Sequence, residues 1–204
     1  IDFGKSIGNA TLMSATMALA PVGSIHMSEK FEANCAALGG DDEDAGSGLF
    51  LHFSRVNHDC VGNATHYYVP DQQLKLLVAN RDIPAGSEVI FSYAGPVSSD
   101  IRAIRMAVRG FQCSCNACQY PEIADKLDRS LKLDKKIYEL GSQGKTEQAI
   151  QAGKSLIKLH DELKASDMQY SRVYYDLFQI AITRKKTVKL GTKYIREAYT
   201  HALR

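Results

Sequence analysis

The sequence of 204 residues lacks a hydrophobic run long enough to cross a membrane. The nearest candidate, residues 10–22, is interrupted by hydroxyl side chains and by Pro21. The amino end also lacks the basic region of a signal peptide. We therefore expect no membrane partner. Because the chain begins with Ile1 and not with Met, we expect further sequence upstream of it.

The sequence also lacks a marked excess of charge of either sign. Lys and Arg number 25 against 23 Asp and Glu, so the formal net charge is +2, and no long basic run is present. Direct nucleic-acid binding is therefore not expected. The hydrophobic fraction of 45% and the charged fraction of 24% are typical of a soluble globular protein. The length accommodates one domain with a helical appendage.

Cysteines are few, and their number is odd. Five are present, and three of them, Cys113, Cys115 and Cys118, fall close together. This clustering fits metal ligation better than a disulfide framework, with free thiols as the alternative. Reducing conditions then follow, so we predict an intracellular location, in the nucleus, the cytoplasm or both. We interpret Cys35 as a small buried hydrophobe.

Two kinds of pattern divide the chain. Aromatic and β-branched residues between turn signals predict strands at 65–69, 74–79 and 88–93. Helix signals predict short helices at 11–19, 27–38 and 99–108. Helical periodicity then predicts four amphipathic helices at 122–140, 146–165, 170–183 and 188–203, with Gly141 ending the first. The predicted fold class is α+β, a β-rich domain followed by an antiparallel α-helical array without evident tetratricopeptide signature residues.

Two short runs and one acidic stretch are candidates for binding chemistry. Residues 54–60 read Ser-Arg-Val-Asn-His-Asp-Cys, and residues 111–118 read Phe-Gln-Cys-Ser-Cys-Asn-Ala-Cys. A Cys-x-Cys-x-x-Cys triplet wraps a metal without regular structure, which predicts thiolate-bound Zn²⁺. Alone, the Asn-His pair is more typical of a turn. The acidic, glycine-rich residues 39–48 lack the ligand spacing of an EF-hand and are interpreted as a solvated loop.

Together the two runs resemble the SET-domain protein lysine methyltransferases, specifically the SMYD-like branch with a post-SET zinc cluster. Residues 57–60, Asn-His-Asp-Cys, are similar to the Asn-His-x-Cys motif of that family. Residues 86–93 are similar to its Gly-Glu-Glu-(x)4-Tyr stretch, with Ser87 in place of the first Glu. The resemblance implies a partial SET (β-clip) domain at 1–98, whose first 48 residues are an insert region. A post-SET zinc-binding segment at 99–120 and a helical C-terminal region at 121–204 follow.

The resemblance also implies a methyl donor and a catalytic residue. S-adenosylmethionine would be contacted by Asn57 and His58, and Phe111 would cover its adenine ring by stacking. Tyr93 would be the catalytic residue, orienting the amine of a lysine side chain on a protein substrate. Without the family context, Phe111 would be an ordinary core residue and Tyr93 a strand-end tyrosine with an exposed hydroxyl.

The fourth zinc ligand also comes from the resemblance. In the family, the cysteine of the Asn-His-x-Cys motif joins the post-SET cysteines, which makes Cys60 the partner of Cys113, Cys115 and Cys118. A site closed by four thiolates is structural, and metal binding would add to folding stability.

Three departures from the family pattern separate two hypotheses. The glycine-rich Gly-x-Gly strands are absent from this chain, Gly62 replaces a proline, and Arg109 stands where relatives usually carry an aromatic residue. A cation at this position is expected to oppose a lysine substrate. The first hypothesis is an S-adenosylmethionine-dependent protein-lysine N-methyltransferase. The second is a catalytically inactive, SET-derived scaffold with a structural zinc site, whose C-terminal helices recruit a partner protein.

Overall fold

The fold is known from a computed structural model, which describes residues 18–19, 26–38 and 46–203. The acidic run at 41–44 and residues 11–17 of the first predicted helix lie outside this part of the chain. The described residues form small sheets followed by several helices, which confirms the predicted α+β class.

In the amino-terminal part, the described residues form three pairs of short strands. Its elements are α1 (Met27–Asn34), β1 (Cys35–Ala37), β2 (Ser47–Leu49), β3 (Asn57–His58), β4 (Ala64–Val69), β5 (Leu74–Ala79) and β6 (Ile90–Phe91). Strands β1 and β2 pair antiparallel, as do β4 and β5, whereas β3 and β6 pair parallel. The parallel pair brings segments far apart in sequence into contact.

The β4–β5 hairpin follows directly from its sequence. Pro70 begins a 3₁₀ turn, and Gln73 takes a left-handed conformation with φ of 51°, which reverses the chain. Ladder pairs then run from Val69–Leu74 to Ala64–Ala79. The strands predicted at 65–69 and 74–79 are confirmed.

Two predicted elements are shorter than expected because of tertiary pairing. The helix predicted at 27–38 ends at Asn34, and the next three residues instead form β1 against β2. The strand predicted at 88–93 is reduced to β6, the two residues that pair with β3. The periodicity of residues 27–38 and 88–93 does not indicate that these segments pair with β2 and β3.

The carboxyl-terminal part is helical, as predicted. Its helices are α2 (Ser99–Val108), α3 (Asn116–Gln119), α4 (Pro121–Ser142), α5 (Thr146–Leu163), α6 (Asp167–Ala181) and α7 (Val188–Ala202). Helices α4 to α7 are joined by short turns and pack on their neighbours in sequence. Their shared core comprises Ile137, Ile150, Ala152, Leu156, Val173, Leu177, Ala181 and Tyr194.

The predicted stop at Gly141 is wrong. Helix α4 continues to Ser142, and the chain reverses at Gly144, whose φ is +69°. Gly141 lies instead in a close contact between helices, since a Cβ there would stand 2.9 Å from Cδ1 of Ile180.

A polar junction attaches the helices to the β-rich part. The Asp128 carboxylate on α4 accepts hydrogen bonds from the amide and hydroxyl of Ser99, at 2.9 and 2.6 Å. It also pairs with the buried Arg102 at 3.5 Å, and Arg102 donates to the Val97 carbonyl. These bonds orient α2, the helix that leads into the cysteine triplet. No helix in the described ranges has the length and apolarity to cross a bilayer.

Candidate functional site

The segment 57–63 wraps along β6, and this contact builds the site. Beyond the β3–β6 pair, the Asp59 amide donates to the Phe91 carbonyl at 3.2 Å. Asn63, which is buried, accepts from the Ile90 amide at 2.9 Å and donates to the Glu88 carbonyl at 2.8 Å. Its side chain therefore provides the missing strand partner for residues 88–90.

Gly62 permits this close approach. A Cβ at this position would lie 2.6 Å from the Phe91 Cα and 2.8 Å from the Ile90 carbonyl oxygen, both backbone atoms that cannot rotate away. The glycine that replaces the family's proline is thus required by the geometry of this chain.

His58 connects the site to the cysteine cluster. Its Nδ1 accepts the Tyr93 backbone N–H at 2.9 Å, so the neutral ring carries its proton on Nε2, which lies 3.4 Å from the Cys60 sulfur. Burial is the main cause of a lowered His58 pKa, and the cation of Arg109 lowers the pKa further. The imidazole is therefore a neutral link between two backbone segments.

The Tyr93 side chain lies at the centre of an aromatic group. Its ring centroid is 5.1 Å from those of His58 and Phe91 and 6.4 Å from that of Phe111. Its hydroxyl donates to the Val56 carbonyl at 2.5 Å. Burial raises the pKa of this hydroxyl, against a lowering by Arg109, so the group stays protonated at neutral pH.

Tyr93 lines a cavity of about 260 Å³ beside β1 and β6. Residues 33–37 also line it, and Phe53, Val56 and Phe91 are its largest apolar side chains. Ser92 also lines the cavity, and its buried Oγ makes no hydrogen bond within the described residues. The cavity therefore combines a protonated tyrosine with an unsatisfied hydroxyl.

A tight turn at the end of α2 places Arg109 and Phe111 on the site. Gly110 takes a φ of +83°, and the Phe111 amide closes the turn on the Met106 carbonyl. The Arg109 guanidinium then lies 5.3 Å from the centroid of the Tyr93 ring. Phe111 stands 6.1 Å from the His58 ring and is 39% exposed, so part of its ring is open to a ligand.

The four cysteines predicted to bind metal converge on one point. The sulfur atoms of Cys60, Cys113, Cys115 and Cys118 all lie within 4.8 Å of one another. Cys60 and Cys118 are 3.7 Å apart, and a tetrahedral site with Zn–S bonds of about 2.3 Å requires sulfur separations of about 3.8 Å. The fifth cysteine, Cys35, is not part of the cluster.

The electrostatics of the cluster also favour a cation. Burial, followed by the charge of Cys115, raises the pKa of the Cys60 thiol. Burial likewise raises the pKa of Cys113. Four adjacent thiolates are thus unfavourable without a compensating charge, and a divalent ion supplies one.

Comparison with known proteins agrees with this geometry. The family model for the SET domain matches residues 14–94. The chain contains a SET domain. The match includes the wrapped segment 57–63, β6 and Tyr93, and ends before the cysteine triplet.

Three curated relatives have similar sequences over short stretches. The chain is 36% identical over 75 residues to "Methyltransferase" of Gibberella zeae, covering 35% of this chain and 10% of that protein. It is 36% identical over 83 residues to "Histone-lysine N-methyltransferase set5" of Schizosaccharomyces pombe, covering 40% and 26%. It is 35% identical over 92 residues to "SET domain-containing protein SmydA-8, isoform A" of Drosophila melanogaster, covering 43% and 19%. The chain thus matches about a quarter or less of the length of these relatives.

The residues of the SET domain fit a methyl donor in their chemistry. Asn57 is exposed and its amide donates to the Glu88 carboxylate at 2.5 Å, so its carbonyl oxygen remains available as an acceptor. The exposed ring of Phe111 offers an aromatic surface next to His58. An adenine needs such a stacking surface and polar groups at its edge.

Sequence reasoning missed three polar residues at the site and its support. Asn63, Ser92 and Asp128 were not singled out, although all three are buried or half-buried polar groups at the site or its support. Asn63 alone had a signal, because it follows the Asn-His-Asp-Cys run at 57–60 by three residues. The other two depend on tertiary contacts without a local pattern.

Proposed function

We propose that the protein is an S-adenosylmethionine-dependent protein-lysine N-methyltransferase. The observation that supports this most is the contact of Tyr93, which lines a small cavity, with the rings of His58 and Phe111 next to the cysteine cluster. The methyltransferase names of the relatives in Gibberella zeae and Schizosaccharomyces pombe agree with it.

The reaction requires positioning more than covalent chemistry. S-adenosylmethionine supplies an electrophilic methyl group on a sulfonium. The acceptor amine must arrive without its proton, although a free lysine titrates near ~10.4. The apolar side chains of Phe53, Val56 and Phe91 beside Tyr93 disfavour the ammonium form by desolvation.

The bond from Tyr93 to Val56 sets the role of the hydroxyl. Because the O–H proton is donated to the Val56 carbonyl, the oxygen lone pairs remain free to accept from a substrate N–H. Tyr93 would therefore orient the amine without accepting its proton, since its own pKa is raised. The unsatisfied Ser92 hydroxyl is a second group for holding the amine or a water molecule.

The cysteine cluster would bind Zn²⁺ and hold the site closed. Cys113 follows Phe111 by two residues and Cys60 follows His58 by two, so a metal bound to both fixes the aromatic cover against the wrapped segment.

The first test is donor binding. Calorimetry with S-adenosylmethionine should show binding to the wild-type protein, and Asn57→Ala should weaken it about tenfold, the expected loss for one hydrogen-bonding side chain. Gln143→Ala, on the exposed turn after α4, is the matched control and should bind like the wild type. Absence of donor binding in the wild type would contradict the proposed function.

The second test separates catalysis from binding. Tyr93→Phe removes the hydroxyl but keeps the ring packed among His58, Phe91 and Phe111. Donor affinity should remain within twofold of the wild type, whereas the rate of methyl transfer to a lysine-containing protein should fall about 100-fold. An unchanged rate would exclude Tyr93 as the catalytic residue.

The inactive scaffold is the second candidate function, and one observation favours it. Arg109 lies over the Tyr93 ring and lines the cavity that the substrate lysine must enter. In this alternative the C-terminal helices recruit a partner protein, and the site binds the donor weakly or not at all. Donor binding together with methyl transfer would reject it.

A further inference from the structure

The charge that lines the Tyr93 cavity is positive, although the Glu88 carboxylate is near enough to raise the pKa of Tyr93. Its lining contains the Arg109 guanidinium and, among the described residues, no Asp or Glu. Lys75 adds a second cation at the β1 side, where its ammonium donates to the Ala37 carbonyl at 2.7 Å and stands 5.8 Å from the Phe53 ring centroid. Glu88 is bonded to Asn57 and does not line the cavity.

From this arrangement we propose that Arg109 is a specificity-determining residue that selects an acceptor lysine flanked by Asp or Glu and disfavours one within a basic run. This inference depends on the proposed function, because it concerns the substrate of the same site.

Arg109 is held where a flanking residue would meet it. The turn at Gly110 fixes its backbone, and its guanidinium packs on the Tyr93 ring at 5.3 Å, a favourable cation–π arrangement. Among the residues that the structure describes, no carboxylate lies within ion-pair distance of it. An acidic side chain of the substrate can supply the missing partner.

The same position explains why a basic flank is disfavoured. A lysine that reaches Tyr93 brings its neighbours in sequence to the rim of a small cavity, next to Arg109 and Lys75. Arginine or lysine at these neighbours would place like charges together, whereas Asp or Glu would form new pairs. Rim charges of this kind set specificity more than total affinity.

The test compares three synthetic peptides that share one central lysine. The residues that flank this lysine are Glu in the first peptide, Gln in the second and Arg in the third. Peptide binding is measured by fluorescence anisotropy, and methyl transfer is measured separately. The wild-type protein should prefer the Glu peptide to the Arg peptide about tenfold. Arg109→Gln should reduce this preference to about twofold, and Arg109→Glu should reverse it. Arg129→Gln, which removes an exposed cation on α4, should leave it unchanged.

The two readouts separate this inference from the proposed function. Binding that prefers the Glu peptide, without methyl transfer to any peptide, would contradict the proposed function. It would still support the selection of acidic flanking residues by Arg109. Methyl transfer with equal preference for all three peptides would overturn the inference alone. An unchanged preference in Arg109→Glu would also overturn it, because the guanidinium would then not be the group that selects.

Discussion

If the cysteine cluster binds Zn²⁺ as proposed, replacing Cys115 by serine should abolish that binding and lower the thermal unfolding temperature by about 10 °C. In this cluster each sulfur is one of four within 4.8 Å, so losing one ligand leaves three thiolates and an open coordination position. We expect a stability loss of about 3 kcal/mol or more, and each kcal/mol corresponds to about 2–4 °C for a chain of this size. Zinc analysis and calorimetric melting measure the two effects.

Cys35→Ser is the matched control for this experiment. Cys35 is half-buried and its thiol contacts the Glu32 carbonyl at 3.8 Å, away from the four clustered sulfurs. The same substitution there should retain about one zinc per chain and shift the melting temperature by less than about 3 °C. A wild-type protein that is folded and free of metal would refute the ligand assignment.

The loss of zinc should also be transmitted to the donor site. Phe111 and Cys113 are separated by one residue, and His58 lies 3.4 Å from the Cys60 sulfur. Without the metal, the aromatic cover loses its anchor while the wrapped segment keeps its bonds to β6. Donor affinity in Cys115→Ser should therefore fall even at temperatures at which the SET domain remains folded.

The sequence was most informative where structure is local. The helices at 99–108 and after residue 121 carry their own periodicity, and the β4–β5 hairpin carries its own turn residues, so both were predictable. The cysteine triplet likewise predicts a metal knuckle by its spacing alone. The joining of Cys60 to it came only from the family resemblance, because no local rule brings residues 58 positions apart together.

Non-local structure was less predictable for a physical reason. Strand β6 is defined by two residues of β3 and by the side chain of Asn63, which supplies bonds that a regular strand would supply. No periodicity marks such a partner. The same holds for Asp128, whose bonds to Ser99 and Arg102 orient the helix that carries Arg109. The sequence shows that Arg109 is charged, but its position over the Tyr93 ring could be seen only in the folded structure.

Gly62→Ala should be the most damaging single-methyl change in the SET domain. The added Cβ would stand 2.6 Å from the Phe91 Cα and 2.8 Å from the Ile90 carbonyl oxygen, so it can be accommodated only by moving β6 away from segment 57–63. We expect the free energy of unfolding to fall by about 3 kcal/mol, at the upper end of the range for overpacking. Urea denaturation followed by circular dichroism measures the change.

Gly141→Ala adds the same methyl group where the obstacle differs. Its Cβ would meet Cδ1 and Cγ1 of Ile180 at 2.9 and 3.0 Å, which are side-chain atoms able to change rotamer. Alanine is also favoured over glycine within helix α4 by about 1 kcal/mol, so the net change should be small. Equal stability of the two variants would contradict the close approach of segment 57–63 to β6. A large loss of unfolding free energy in Gly62→Ala but not in Gly141→Ala, together with weaker donor binding, would indicate that the proposed cofactor site depends on the contact between segment 57–63 and β6.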